Sequence, residues 1–246
     1  MHGSQVVEVR NLVKRFGELV ALNDVSFKVD QGEIFGLIGP NGAGKTTALR
    51  ILATLLLPTS GHVRVLGYDV VREADKVRPL MSYLAEDAGA YRNLSGYEYL
   101  SIVAQIYFES RSDAEEAVEE AVKISGLGDR IMDKIKNYSK GMKRRIQVAR
   151  ALMTKPKLAI LDEPTAGLDV FHAQHVRGIV KRHVLEGRAV VLSSHNMLEV
   201  EYLCSRLTFI HQGKIMIEGE PQSLKEKCGA SNLEEAFMEV IGRWEN

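Results

Sequence analysis

Residues 39–47 constrain the fold of this chain more than any other stretch. They read GPNGAGKTT, follow the apolar run EIFGLI and open the helix-like run KTTALRILATLL. The spacing is G-x-x-x-x-G-K-[ST], whose glycines let the backbone curl so that its N–H groups meet an anion at a helix N-terminus. This strand, loop and helix predict an α/β fold with a phosphate-binding loop.

Each residue of this loop has an expected part in holding a nucleotide. Lys45 can reach the β- and γ-phosphates, and the Thr46 hydroxyl can complete the shell of a Mg²⁺ ion. The other loop residues are expected to cradle the phosphates: Gly39, Pro40, Asn41, Gly42, Ala43, Gly44 and Thr47. A glycine turn that merely starts a helix is the alternative, and the strand before the loop argues against it.

A second segment, KLAILDEPTAGLD, supplies two carboxylates at the end of an apolar strand. Open α/β sheets bind ligands at the carboxyl edge of their strands, so Asp162 is expected beside the phosphate loop as a ligand of Mg²⁺. Glu163 points away from its neighbour and is suited to polarise an attacking water. Two acids that only cap a strand are the alternative, which the phosphate loop disfavours.

Composition narrows the function classes. The chain has 246 residues with 32 Lys plus Arg against 32 Asp plus Glu, so it lacks the basic excess of a dedicated nucleic-acid binder. Its two cysteines form no CxxC pair, which suits a reducing compartment. The start, MHGSQVVEVR, has no apolar signal core, and no apolar run approaches the roughly 20 residues of a membrane helix.

The pattern of apolar residues predicts two structural parts. Short β-rich runs fill most of 1–85, and buried-type strands alternate with helices over 156–218, which predicts a mostly parallel sheet beside an N-terminal antiparallel β layer. Residues 86–155 are helical in pattern and predict an inserted all-helical subdomain. Residues 219–246 predict a C-terminal helical tail.

The stretch YSKGMKRRIQVARAL, residues 138–152, admits two interpretations. It is either a basic helix that lies on nucleic acid, or a turn and helix that bind a small phosphate. Its apolar stripe of Met142, Ile146, Ala149 and Met153 predicts a helix packed on one face, with most of the basic residues on its polar faces.

Four segments resemble motifs of the ATP-binding subunit of ABC transporters, and they occur along the chain in the order that the family has them. The resemblance covers essentially the whole chain. YSKGMKRR is similar to the family's signature motif, EPTAGLD to its D-loop, LSSHNMLEVEYL to its switch region, and FGELVALNDVSF to the segment that stacks on adenine. The resemblance implies a P-loop NTPase core and ATP hydrolysis. It also implies that two such subunits close head to tail around two ATP molecules and work with a separate integral membrane permease.

The resemblance implies a role for each matching residue. Phe16 would stack on adenine, His195 would contact the γ-phosphate, and Glu163 would be the catalytic carboxylate. Ser139, Lys140, Gly141 and Met142 would face the ATP held by the other subunit, with Ser139 capping a helix whose N-terminus is electropositive.

Two departures from the family pattern affect the expected site. Where the family has a glutamine, the run MSYLAEDAGAY offers Glu86, or Asp87 if the alignment slips by one. A carboxylate can still bind a hard cation, so Glu86 is a candidate Mg²⁺ ligand. Lys140 and Met142 replace the usual Gly and Gln, and Lys140 either contacts the opposing nucleotide or faces solvent.

The implied function is ATP-driven transport at the cytoplasmic face of a membrane. YSKGM, the glutamate at position 86 and the tail NLEEAFMEVIGR resemble exporter-type systems, which favours export over import. The alternative is a soluble ABC-type ATPase that acts on nucleic acid or ribosomes, for which the compact insertion leaves little room. His172 and His175 are spaced to share a metal, but without a third ligand they are expected on a solvated helix face.

Overall fold

A computed structural model describes residues 5–245. Residues 1–4 and 246 lie outside the described residues. The outer bounds of the predicted units 1–85 and 219–246 and the beginning of the segment MHGSQVVEVR lie there too. The strands are β1 (Gln5–Phe16), β2 (Leu19–Asp30), β3 (Ile34–Ile38), β4 (Ser60–Val65), β5 (Tyr68–Asp69), β6 (Met81–Leu84), β7 (Leu158–Asp162), β8 (Ala189–Ser194), β9 (Arg206–His211) and β10 (Lys214–Gly219). The helices are α1 (Lys45–Leu52), α2 (Ala74–Val77), α3 (Gly96–Tyr107), α4 (Arg111–Ser125), α5 (Lys140–Leu152), α6 (Val170–Leu185), α7 (Met197–Leu203), α8 (Pro221–Cys228) and α9 (Leu233–Glu245).

The strands form two sheets. The first is antiparallel, in the order β2-β1-β4-β5. The second has the order β10-β9-β3-β8-β7-β6, in which β10 pairs antiparallel at one edge and the remaining pairs are parallel. The predicted fold class, a mostly parallel α/β core with an antiparallel β layer, is confirmed.

Burial on both faces explains the apolar sequences of the central strands. Every residue of β3, β7 and β8 is buried, as in parallel sheets covered on both sides. Alternate side chains face opposite ways: Leu158 and Ile160 pack with α1 and the antiparallel sheet, whereas Ala159 and Leu161 pack with α6, α7 and α9. The sheet therefore separates two apolar cores and holds its carboxyl edge rigidly.

The helices α3, α4 and α5 enclose an apolar cluster of their own. Tyr99 and Leu100 of α3 meet Val118 of α4 and Ile146 of α5 in this cluster. The first of these helices begins at a capping box, in which Ser95 accepts from the N–H of Glu98 and the Glu98 carboxylate accepts from the N–H of Ser95. The limits of the helical unit at 86 and 155 stay a prediction.

Some element bounds differ from the predicted ones. The helix predicted from Lys45 into the run ATLL ends at Leu52, because Thr54 takes a left-handed φ of 59° that a helix cannot continue through. The short helix α2 was not predicted, since four residues carry too little periodicity to be recognised. Within residues 5–245, no helix has the length and apolar character needed to span a bilayer.

Candidate active site

The predicted site residues gather at the carboxyl edge of the parallel sheet. The phosphate loop follows β3, Glu163 follows β7 and His195 follows β8, and these three strands are direct neighbours. Parallel strands end at the same edge, so segments far apart in sequence come together there.

The phosphate loop is fixed by close backbone contacts. Gly44 is the N-cap of α1 with a φ of 105°, a conformation that favours glycine. A Cβ atom on Gly39 would lie 2.1 Å from the carbonyl oxygen of Ile210. Lys45 Nζ donates to the carbonyl oxygens of Gly39 and Pro40, at 2.7 and 3.1 Å, so the buried amine lies inside the curve of its own loop.

A pocket of about 570 Å³ opens above this loop. It brings together the predicted adenine-stacking residue, eight of the nine loop residues and two of the three predicted acids, Asp162 being the one that is not in the lining: Phe16, Pro40, Asn41, Gly42, Ala43, Gly44, Lys45, Thr46, Thr47, Glu86 and Glu163. The lining also includes residues that the sequence did not single out: Leu19, Val20, Ala21 and Gln212. Gly39 lies behind the lining, against β9.

Asp162 and Glu163 are held together by a serine from the next strand. Ser193 Oγ donates to Asp162 Oδ1 at 2.5 Å and accepts from the backbone N–H of Glu163 at 2.9 Å. All three residues are buried, and Glu163 has a φ of 49°, a left-handed conformation that costs free energy in a non-glycine residue. Ser193 therefore helps to hold Glu163 in a strained backbone conformation.

The Glu163 carboxylate lies between two cationic or potentially cationic groups. Its Oε1 atom is 3.6 Å from Lys45 Nζ and 2.9 Å from His195 Nδ1. Among the described residues no donor is aligned for a hydrogen bond to this oxygen, so both contacts are electrostatic. His195 is 53% exposed while Glu163 is buried, which places the imidazole at the mouth of the site.

The sequence predicts that most basic residues of α5 lie on its polar faces. This prediction is wrong for two of these residues. Arg144 and Arg145 are both buried. The guanidinium of Arg144 donates to five backbone carbonyls, those of Ala85, Glu86, Asp162, Glu163 and Pro164. Burial lowers the pKa of Arg144, and nearby carboxylates oppose that shift.

The signature-like turn stands apart from the pocket. Ser139 is exposed and caps α5, accepting from the backbone N–H of Met142 at 3.1 Å. None of residues 139–142 lines the pocket above the phosphate loop of the same chain. Lys140 is exposed, and its amine lies against the backbone of Gly167 in the D-loop-like segment.

His172 and His175 do not form the solvated face expected of them. A Cβ on Gly141 would lie 2.4 Å from His172, and one on Gly126 would lie 2.4 Å from His175. His172 Nδ1 contacts the Asp169 carboxylate at 2.8 Å, and His175 Nε2 lies 3.2 Å from the carbonyl oxygen of Ile124. Both side chains pack α6 against the helical insertion.

The remaining predicted residues occupy the rim. Phe16 is half-exposed at the end of β1. Lys14 Nζ lies over the Phe16 ring, 4.7 Å from the ring centre. Glu86 is exposed and lines the pocket above the phosphate loop, whereas Asp87 lines only a neighbouring cavity of about 260 Å³. Of the two alignments considered for this position, the one with Glu86 faces the phosphate loop.

The donor set fits a Mg²⁺ ion that arrives with a nucleotide. Among residues 5–245, no group of three or more His, Cys, Asp or Glu side chains is arranged to hold a metal. Mg²⁺ is commonly bound by one or two protein oxygens together with substrate phosphates and water. Thr46 in the pocket and Asp162 at the adjacent strand end match that smaller donor set.

Two positioning contacts were missed by sequence reasoning. Ser193 lies in LSS, which reads simply as a strand end, and its partner Asp162 is 31 residues away. Arg144 is one of several basic residues in a helix, and nothing in its spacing distinguishes it. The signal in the sequence was the placement of Ser193 two residues before the switch-like histidine.

A glycine-rich loop between a buried parallel strand and a helix, with Asp and Glu ending a neighbouring strand, defines a P-loop nucleotide-binding protein. A family model described as ABC transporter matches residues 22–166, more than half of the chain. The chain therefore belongs to the ABC transporter family, as an ATP-binding subunit and an ATPase.

Individual relatives agree with this assignment. The chain is 34% identical over 244 residues to the linearmycin resistance ATP-binding protein LnrL of Bacillus subtilis (strain 168), covering 96% of this chain and 78% of that protein. It is 37% identical to the lantibiotic transport ATP-binding protein SrtF of Streptococcus pyogenes, covering 96% and 97%. A solved ATP binding subunit of an ABC transporter superposes with a TM-score of 0.86 at 28% identity, covering 96% and 99%.

Proposed function

We propose that this subunit closes head to tail with a second ATP-binding subunit, identical or paralogous, around two ATP molecules. The observation that carries the proposal is the separation of the signature-like turn from the pocket of its own chain. Ser139 presents its helix N-terminus to solvent, where the backbone N–H groups favour an anion from outside. A partner's γ-phosphate is the anion that this turn would meet.

Within each composite site, one chain holds ATP through the loop residues 39–47 and Phe16. Lys45 exchanges its bonds to the loop carbonyls for bonds to the β- and γ-phosphates. Thr46 and Asp162 would hold Mg²⁺, with Glu86 at the rim as a further oxygen donor. When bound, Mg²⁺ neutralises phosphate charge that develops during the transfer.

Glu163 is the group that takes the proton from the attacking water. Its side chain lines the pocket, and its Oε1 atom has no aligned hydrogen-bond donor among the described residues, so the oxygen keeps an acceptor site for the proton of the water. His195 contacts this carboxylate and is half-exposed, so it can turn towards the γ-phosphate and stabilise charge there.

The subunit energises a separate integral membrane permease at the cytoplasmic face of the membrane, in the direction of export. The relatives named for linearmycin resistance and lantibiotic transport support this direction, together with the YSKGM turn and the glutamate at position 86. No nucleic-acid partner is proposed. A soluble ABC-type ATPase on nucleic acid or ribosomes is the competing function, and the balance of 32 basic and 32 acidic residues disfavours it.

The test of this function uses Glu163→Gln, which keeps the shape of the side chain and removes its basicity. We expect the variant to bind ATP with unchanged affinity, to hydrolyse it at least about 100-fold more slowly and to accumulate as a dimer with ATP but not with ADP. Light scattering after gel filtration and phosphate release measure the two effects. Glu119→Gln, on the exposed face of α4, is the control.

Normal turnover by Glu163→Gln would assign the general base to another residue. Co-purification then separates the two functions: an integral membrane protein retained with the tagged chain supports transport, whereas ribosomes or nucleic acid retained with it would contradict transport.

A further inference from the structure

Arg144 has an unusual set of partners for a buried arginine. A guanidinium has five N–H donors in one plane, and arginines in proteins commonly direct them at carboxylates. All the hydrogen bonds of Arg144 go instead to backbone carbonyls, at 2.7–3.1 Å. Its side chain thus binds the main chain, whose position it can fix.

These carbonyls belong to two segments, which follow the neighbouring parallel strands β6 and β7. Nη1 binds residues 85 and 86, which follow β6 and lead into the helical insertion. Nε and Nη2 bind residues 162–164, which carry the end of β7 and Glu163. The contact at 163 is made to the residue whose backbone is in the left-handed region.

The same helix carries the signature-like turn. Ser139 caps α5 and Arg144 follows five residues later, so about 7.5 Å of rigid helix separates the two. Any displacement of the Ser139 turn relative to the core therefore moves the guanidinium as well. Because the guanidinium holds the carbonyl of Glu163, the displacement reaches the backbone of the catalytic carboxylate.

We propose that Arg144 is a positioning residue that sets the backbone of Glu163 and of residue 86 according to the position of the signature helix. Engagement of Ser139 by a partner's ATP then adjusts the general base through one side chain. The inference deepens the proposed function and rests on it. It predicts that Arg144 affects the rate of hydrolysis and leaves ATP binding, which depends on the phosphate loop, unchanged.

The discriminating variant is Arg144→Lys, which keeps the positive charge but cannot reach both segments with a planar fork. We expect kcat to fall about 10- to 100-fold, because a displacement of a reacting group by about 1 Å costs that much. The KM for ATP and the Kd of an ATP analogue should stay within about twofold. In the Glu163→Gln background, Arg144→Lys should still form the ATP-dependent dimer.

Arg150→Lys is the matched control, since Arg150 lies on the same helix and makes a single 3.3 Å bond to the carbonyl of Tyr83. A kcat within about twofold of the parent for Arg144→Lys would overturn the inference. So would a variant that fails to fold, or that loses ATP binding in step with hydrolysis, because the role would then be structural only. Normal turnover by Glu163→Gln would instead contradict the role of Glu163, a result independent of Arg144.

Discussion

The candidate site has two halves: the phosphate loop with Asp162 and Glu163, called the loop half, and the signature-like turn of residues 139–142. They differ in how many contacts within the same chain hold them in place. Around the loop, Lys45, Asp162 and Glu163 are buried and tied to several strands. In the turn, Ser139 and Lys140 are exposed, and among the described residues Ser139 Oγ accepts a hydrogen bond only from the N-terminus of its own helix. The first half is preorganised for a ligand within one chain, whereas the second presents donors outward.

The difference shows where each half obtains its rigidity. The loop half lies on parallel strands packed between two apolar cores, so its geometry is set before any nucleotide arrives. The turn is attached to the core through α5, whose Arg144 binds the main chain and whose Val148 and Leu152 pack in one of the apolar cores, and through the glycine contacts of α6. In the dimer proposed above, a partner's ATP completes this second half.

Breaking the preorganised half should have the largest effect. Among the residues that the structure describes, Lys45 is the only lysine that lines the pocket, and Lys45→Ala leaves the phosphate charge without it. We expect the Kd for ATP to rise at least about 100-fold, or roughly 2.7 kcal/mol, measured by titration calorimetry. Lys136→Ala, an exposed lysine of the helical insertion, is the control, and an affinity near that of the parent would refute the phosphate-loop assignment.

Loosening the same half without removing a charge should have an intermediate effect. Ser193→Ala deprives Asp162 Oδ1 and the Glu163 N–H of their shared partner. Leaving buried groups unsatisfied costs about 1–3 kcal/mol of folding stability. We expect a lower unfolding temperature, a higher Mg²⁺ requirement and a kcat reduced about tenfold.

Ser82→Ala offers a comparison on β6, since the hydroxyl of Ser82 is buried without a hydrogen-bond partner among the described residues. Equal Mg²⁺ profiles for Ser193→Ala and the parent would show that Ser193 has no influence on the metal ligand.

The smallest effect is expected at the rim. Glu86→Gln removes negative charge beside the phosphates and restores the amide that the family resemblance leads one to expect. Basal hydrolysis should be preserved or raised severalfold, and its dependence on Mg²⁺ should shift. Asp87→Asn, just outside the pocket, is the control. An unchanged Mg²⁺ profile for Glu86→Gln would argue against contact between residue 86 and the metal.

Local patterns in the sequence predicted the loop half well. The spacing of residues 39–47 fixes the turn, and an apolar strand that ends in Asp162 fixes the carboxylate edge, so both follow from short stretches. The gathering of Phe16 and Glu86 at one pocket was predicted through the family resemblance.

Contacts to main-chain atoms far away in the sequence could not be predicted from local sequence patterns. Arg144 was expected on a polar face because a basic residue in an amphipathic helix is usually solvated. Its burial depends on five carbonyls supplied by segments 18–59 residues away in sequence. The glycine contacts of His172 and His175 likewise depend on how α6 packs against the insertion, which no local period reveals.

The central claim, that each ATP site combines the loop of one chain with the turn of another, is tested by mixing two inactive variants. Lys45→Ala disables the loop, and Ser139→Arg blocks the turn. A heterodimer of the two has one site with both defects and one intact site. Mixed in equal amounts, the variants should regain hydrolysis approaching about a quarter of the parental rate, because about half of the dimers are mixed. If Glu163→Gln forms the ATP-dependent dimer with itself, each variant folds alone and the mixture stays inactive at every ratio, the composite site is contradicted.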